Sequence, residues 1–257
     1  MEFPVWIPFQ SEWWTFFIIL ASIPILIYLS ELTLKLKVLS PESNRRLVHF
    51  FVGILITISP FIFSDYLLPS ILALIFLIVN YFAYHNNKLL GIHSQGRVTY
   101  GTIYFPLGYL ILVIGFWQYS GFVIISLAIL AVADPIAAMV GENSSKGNEF
   151  VIWEDKKSLQ GTIAYYIVSF LLIFILGKLL FQFSNTYLLI FALFSAIGST
   201  IAEITSSKGS DNLSIPVVSV LFMIGFIERV APNQSNFFTI LPSPFLFLIL
   251  FLGLAFY

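Results

Sequence analysis

The sequence predicts an all-α integral membrane protein, a polytopic bundle of about eight to nine transmembrane helices. Three observations predict it. Of the 257 residues, 59% are apolar and only 10% are charged, against about 45–50% and about 25% in a soluble domain. The mean hydropathy is +0.96. The apolar runs approach the ~20 residues that a helix needs to cross a bilayer. They lack the alternation of a membrane barrel strand. The absence of cysteine excludes disulfides, thiolate metal sites and cysteine nucleophiles. The net charge of −1 singles out no partner, and no nucleic acid is expected.

The helices follow in order. The first, about 13–31, comes after an N-terminus without the basic stretch of a signal peptide, so it is expected to stay as a span. The second, about 46–64, opens on "RRLVHFFVG". The third, about 66–85, follows the tight turn "FSDY" and carries Asn80, a candidate interhelical hydrogen-bonder. The fourth, about 100–118, opens on "GRVTYGTIYFPLG". The fifth, about 121–141, follows "WQYSG" and contains Asp134. A polar segment, 142–159, is the longest in the chain and ends in "EDKKSL". The sixth helix, about 160–180, begins there. The seventh, about 186–207, carries Ser195, Ser199, Glu203 and Ser207 at four-residue intervals, a polar stripe that must face protein or water. The eighth, about 213–231, follows Asp211 and Asn212. The ninth, about 237–257, is interrupted near its start by Pro242 and Pro244. No room is left for a soluble domain, so residues 1–257 are expected to form one transmembrane catalytic domain.

Ten of the twelve lysines and arginines fall in alternate loops: Lys35, Lys37, Arg45, Arg46, Lys88, Arg97, Lys146, Lys156, Lys157 and Lys208. Lys178 and Arg229 fall on the other side. The positive-inside rule assigns the basic side to the cytoplasm and the N-terminus to the outside.

The basic side also holds almost everything capable of chemistry. Arg46 and His49 share a helix face, being three residues apart. Arg97 precedes the fourth helix. Asp134 lies about two turns from Gly141. Gly141, Lys146, Lys157, Ser158 and Gly161 surround the polar segment. Glu203 sits near the end of the seventh helix, and Asp211 and Asn212 lie just before the eighth. An acid near a bilayer is expensive and is usually functional and partnered. Asp134, Glu203, Asp211 and Asn212 offer hard oxygen ligands of the kind that Mg²⁺ takes beside phosphates and water. Arg46, Arg97, Lys146 and Lys157 suit phosphate oxygens. Glycines and the start of the sixth helix let backbone N–H groups approach an anion. Acids, cations and glycine turns at one face describe phosphoryl or nucleotidyl transfer, with no Walker A motif or kinase glycine loop present. The second substrate is expected from the bilayer.

These segments resemble the CTP-dependent polyprenol kinase family, which includes dolichol, phytol and farnesol kinases and a CTP-dependent diacylglycerol kinase. The resembling stretches are "RRLVHFFVG", "GRVTYGTIYFPLG", "VADPIAAMVGENSSKG", "KKSLQGTIA" and "AEITSSKGSDNLSIPVVS", within residues 45–220. The resemblance implies transfer of the γ-phosphate of CTP, with Mg²⁺, to a lipid alcohol. It places Asp134, Gly141, Lys146, Lys157, Ser158, Gly161, Glu203, Asp211, Asn212 and Pro216 at motif positions. Asp134, Asp211 and Asn212 are the expected metal ligands. Arg46, Arg97, Gly141, Lys146, Lys157, Ser158 and Gly161 are the expected phosphate contacts, and His49 is a further site residue. Glu203 is the first candidate for the base, Asp134 the second, and Lys157 is expected beside them. Three positions depart from the family pattern: Arg46 stands where lysine is common, Glu142 where a basic residue is common, and Ser210 where many members have a second aspartate. A CTP:phosphatidate cytidylyltransferase would use similar ligands. An ion-coupled transporter would instead need acids at the bilayer midplane.

Overall fold

The structure is a computed structural model that describes residues 5–86, 99–143, 148–153 and 155–230. The ninth predicted helix, 237–257, lies outside the described residues, as do Lys88, Arg97 and Lys146.

Seven helical segments are long and apolar enough to cross a membrane, which makes the chain a multi-pass membrane protein. They comprise α1 (Glu12–Lys35), α2 with its short extension α3 (Pro41–Thr57, Ser59–Ile62), α4 (Leu67–His85), a composite segment (Gly101–Glu142), α8 (Leu159–Leu180), α9 (Asn185–Thr205) and α10 (Asp211–Val230). The composite segment has 42 residues. Drawn straight it would be about 63 Å long, twice the hydrocarbon thickness. It is a hairpin. Helix α5 (Gly101–Phe116) ends in a 3₁₀ turn (Trp117–Tyr119), where Phe116 leaves helical geometry at φ −133°. The return strand of the hairpin is α6 (Ser120–Ala128), a π-helical turn (Ile129–Ala133) and α7 (Asp134–Glu142). Gly101 and Thr102 line the same cavity as Ala138 and Glu142, so both ends of the segment meet on one side. The described residues therefore make eight crossings, within the predicted eight to nine.

Local chemistry sets the boundaries. Helix α2 starts five residues before the predicted position 46, because Ser40 caps it by accepting from the Ser43 N–H at 3.2 Å and Pro41 occupies the first turn. Ser158 caps α8 through the Gly161 N–H at 3.1 Å. The π turn has a cause in Pro135. Proline carries no N–H, so the carbonyls one turn before it lose their partner and the helix widens there.

The polar segment between α7 and α8, which its composition predicts to be loop, contains a two-stranded antiparallel hairpin, β1 (Glu149–Ile152) and β2 (Asp155–Ser158), with Phe150 opposite Lys157 and Ile152 opposite Asp155.

Two apolar clusters hold the bundle. The larger centres on α6 and the π turn and gathers α5, α8, α9 and α10. At the end of the bundle away from the basic loops it is aromatic, with Phe122 4.9 Å from Phe181 and Phe191 5.7 Å from Phe226 between ring centres. The smaller joins α1, α2 and α4 through Phe16, Ile19, Ile23, Phe63, Leu68 and Leu72. Gly53 of α2 faces Ala131 of the π turn, where any Cβ would come within 2.6 Å of the alanine methyl. A polar knot ties α1 to α2: buried Asn44 donates to Ser30 Oγ at 2.6 Å and accepts from Thr33 Oγ1 at 2.8 Å.

Candidate active site

One end of the bundle holds the described connections 36–40, 99–100, 155–158 and 206–210, and these with the helix ends beside them carry Lys35, Lys37, Arg45, Arg46, Lys156, Lys157 and Lys208. A cavity of about 520 Å³ opens among them and runs into the bundle. Its mouth carries Arg45, Arg46, Glu142, Asp155 and Lys208; further in stand His49, Asp134, Asp211 and Asn212. Five of the residues expected from sequence are thereby brought to one wall: Arg46, His49, Asp134, Asp211 and Asn212.

Asp134 reaches this wall because it begins α7, immediately after the π turn. The same turn leaves the Leu130 carbonyl without the N–H that Pro135 lacks. His49 Nε2 lies 3.0 Å from that carbonyl and so carries a proton there. The His49 ring also lies 4.0 Å from Asp134 Oδ2 and packs edge-on against Phe105 at 5.3 Å. A backbone irregularity, a histidine and an acid are thus built together.

Asp211 and Asn212 open α10. Asp211 Oδ1 accepts from the Asn212 N–H at 2.8 Å and from its side-chain amide at 3.2 Å. The preceding turn depends on Gly209, whose φ of +88° is open to glycine and strained for other residues. Helix α5 approaches closely: a Cβ on Gly108 would meet the Asn212 carbonyl at 2.7 Å. Asn80, the expected interhelical bonder, donates from α4 to the Thr102 carbonyl of α5 at 2.8 Å.

The fit of a divalent metal can be tested on these groups. No three His, Asp or Glu side chains among the described residues gather closely enough to hold an ion unaided. Yet Asn212 Oδ1 is buried without a hydrogen-bond partner, and the carboxylates of Asp134 and Asp211 line the same cavity. Such a donor set suits an ion that completes its shell with phosphates and water.

The other expected site residues are placed differently. Lys157 and Glu203 are not part of the cavity wall that the described residues form. Strand β2 delivers Lys157 to the end of α9, where its ammonium donates to Glu203 Oε1 at 2.6 Å and to the Glu203 carbonyl at 2.9 Å. Burial works against the ammonium, but the Glu203 carboxylate outweighs it and holds Lys157 above the usual lysine value. Glu203 Oε2 is buried and unpartnered. One turn below, Tyr165 and Ser199 hydrogen-bond at 2.7 Å, so the α9 polar stripe faces protein as expected.

Ser158 is spent as the α8 cap. Gly141 and Gly161 face each other where α7 crosses α8: a Cβ on Gly161 would lie 3.3 Å from Gly141 Cα and 3.0 Å from the Ala137 carbonyl. Their smallness permits that crossing. Arg46 makes an ion pair with Glu142 across the cavity mouth. Two of the three departures from the family pattern are therefore partners of each other. Arg45, Asp155 and Lys208 were not singled out from sequence. Their only signal was adjacency to residues that were.

Fold and site together define a class: a multi-pass membrane protein with a charged, acid-lined cavity opening at one end of the bundle. The chain is 28% identical over 194 residues to the phytol kinase of Synechocystis sp., a match covering 75% of this chain and 82% of that protein. It is 26% identical over 210 residues to the chloroplastic phytol kinase 1 of Arabidopsis thaliana, covering 73% of this chain and 67% of that protein. No family model and no solved structure matches. The chain is a relative of phytol kinases, which supports the polyprenol and phytol kinase family that its motifs resemble.

Proposed function

We propose that this protein is a lipid-alcohol kinase that transfers the γ-phosphate of CTP to a hydroxyl drawn from the bilayer, at the cytoplasmic face. The observation that carries the reading is the cavity, which joins a charged mouth to Asp134 and Asp211 and continues into an apolar arm among the membrane-spanning helices. The relatives named phytol kinase support the lipid-alcohol part of it.

Asp134 lines the cavity and Glu203 does not, so Asp134 is the better placed acceptor for the hydroxyl proton. The hydroxyl oxygen attacks the γ-phosphorus, the bond to the bridging oxygen breaks, and the proton passes to Asp134. Lipid monophosphate and CDP result. Arg45 and Lys208 at the mouth neutralise the triphosphate, joined by Arg46 when it parts from Glu142. Arg97 and Lys146, outside the described residues, remain expected phosphate contacts. Asp211 and Asn212, beside Asp134, would hold Mg²⁺, which when bound neutralises phosphate charge. His49 fixes the wall next to Asp134 through the Leu130 carbonyl.

The test is a labelled-nucleotide assay with purified protein, Mg²⁺, and phytol, geranylgeraniol, dolichol and diacylglycerol in turn. Label from γ-labelled CTP should appear in lipid, and label from α-labelled CTP should not. Transfer of the α-label would mean nucleotidyl transfer, and transfer of neither would overturn the reading. An Asp134→Asn protein should lose about two orders of magnitude in kcat, the usual range for a general base.

A further inference from the structure

The cavity does not stop at its acids. Past His49 and Phe105 its wall becomes Ile23 and Ile27 of α1, Val52 and Ile56 of α2, and Leu72, Ala73 and Phe76 of α4. This arm lies where the two apolar clusters meet: Ile23 and Leu72 belong to the smaller, and Ile56, Ala73 and Tyr109 to the larger. Apart from the Tyr109 hydroxyl, this inner lining offers water no hydrogen-bond partners. It offers contacts to hydrocarbon. From His49 to Ile56 is seven residues of α2, about 10 Å of depth at 1.5 Å per residue.

We propose that this arm holds one apolar tail of the lipid alcohol, and that Ala73 sets how much tail it encloses. The inference rests on the kinase reading above and names its substrate class: alcohols with a single tail. Three observations carry it. The apolar arm is continuous with the acid wall, so a hydroxyl at Asp134 directs its own tail inward. The whole cavity is about 520 Å³, must also admit a terminal phosphate and has one apolar arm, so it encloses one tail. At the inner end stand Ile56, Leu72 and Ala73, each at most 4% exposed, and Ala73 is the smallest of them.

Two measurements test it. First, the wild-type protein should use phytol or geranylgeraniol with a kcat/KM at least about tenfold above that for diacylglycerol. An Ala73→Phe protein should lose about tenfold on phytol, as removal of a few buried methylene contacts would give. It should keep geraniol, whose short tail stops before Ala73. Ala73→Leu should show the same split in smaller measure. Equal losses on both alcohols, or no loss on phytol with the protein folded, would overturn the assignment. Second, a geranylgeraniol analogue with a photoreactive group at the tail end should label α2 or α4 in the membrane without nucleotide. Labelling confined to α8 or α9 would overturn the tail arm while leaving the kinase reading intact. Labelling of α2 or α4 in a protein that transfers no phosphate would support the arm and overturn the kinase reading.

Discussion

A lysine and a glutamate buried together in a bundle each cost several kcal/mol to desolvate, so each is stable only beside the other. Lys157 and Glu203 stand in that relation, at 2.6 Å and 46 residues apart in sequence. In the sequence both read as catalytic, because a buried acid and a loop lysine carry the same signal whether they meet substrate or each other. The two roles separate experimentally. Lys157→Met alone should cost about 3–5 kcal/mol of stability, the usual penalty for an uncompensated buried charge. The double change Lys157→Met with Glu203→Gln should restore the melting temperature and recover activity to within about tenfold of wild type. A double variant that is folded but inactive would return Glu203 to the chemistry. Arg46 and Glu142 make a weaker, more exposed pair, with the Glu142 side chain 56% accessible. Such pairs are worth about 0.2–1 kcal/mol. Glu142→Gln should therefore free Arg46 and lower the KM for nucleotide about two- to fivefold at low salt, an advantage that fades as salt screens the phosphates. An unchanged KM would remove Arg46 from the phosphate contacts.

At the scale of elements, long apolar runs announced the helices, and every predicted helix within the described residues is present. What escaped was governed by contacts between distant residues. The β1–β2 hairpin has four-residue strands of mixed polarity, too short to show a period, yet it carries Lys157 to Glu203. The π turn could not be read from periodicity either. Its signal was Pro135 following an intramembrane acid, which reads equally well as an ordinary kink. The glycines were legible as special but not as to purpose. Gly141 and Gly161 satisfied the requirement for a phosphate loop, and the structure shows them at the α7–α8 crossing. This makes a prediction about stability. Gly161→Ala would place a methyl 2.9 Å from Ser158 Oγ and 3.0 Å from the Ala137 carbonyl. Both the α8 cap and the crossing would have to shift, at a cost of about 1–3 kcal/mol, read as a lower melting temperature in detergent. KM for nucleotide should stay within about twofold. A stable protein with a greatly raised KM would give the glycine back to phosphate binding.

On the scale of the whole molecule, eight crossings put residues 36–40, 99–100, 155–158 and 206–210 at one end of the bundle. Those segments and the helix ends beside them hold seven of the nine described lysines and arginines: Lys35, Lys37, Arg45, Arg46, Lys156, Lys157 and Lys208. The cavity opens at the same end. Two independent patterns therefore coincide: the charge asymmetry that orients a chain during insertion, and the mouth through which a water-soluble nucleotide must enter. If the basic end faces the cytoplasm, as short basic loops do, the nucleotide meets the cavity on the side where triphosphates are abundant, and the N-terminus faces outward. The absence of cysteine makes this directly measurable, because any introduced thiol is unique. Val38, 66% exposed in the α1–α2 loop, marks the cavity end. Ser64, exposed between α3 and α4, marks the other. In intact cells a membrane-impermeant maleimide should label Ser64→Cys and should reach Val38→Cys only after permeabilisation. The reverse order would place the mouth outside, away from cytoplasmic nucleotide, and CTP could not then be the phosphate donor whatever the chemistry of Asp134.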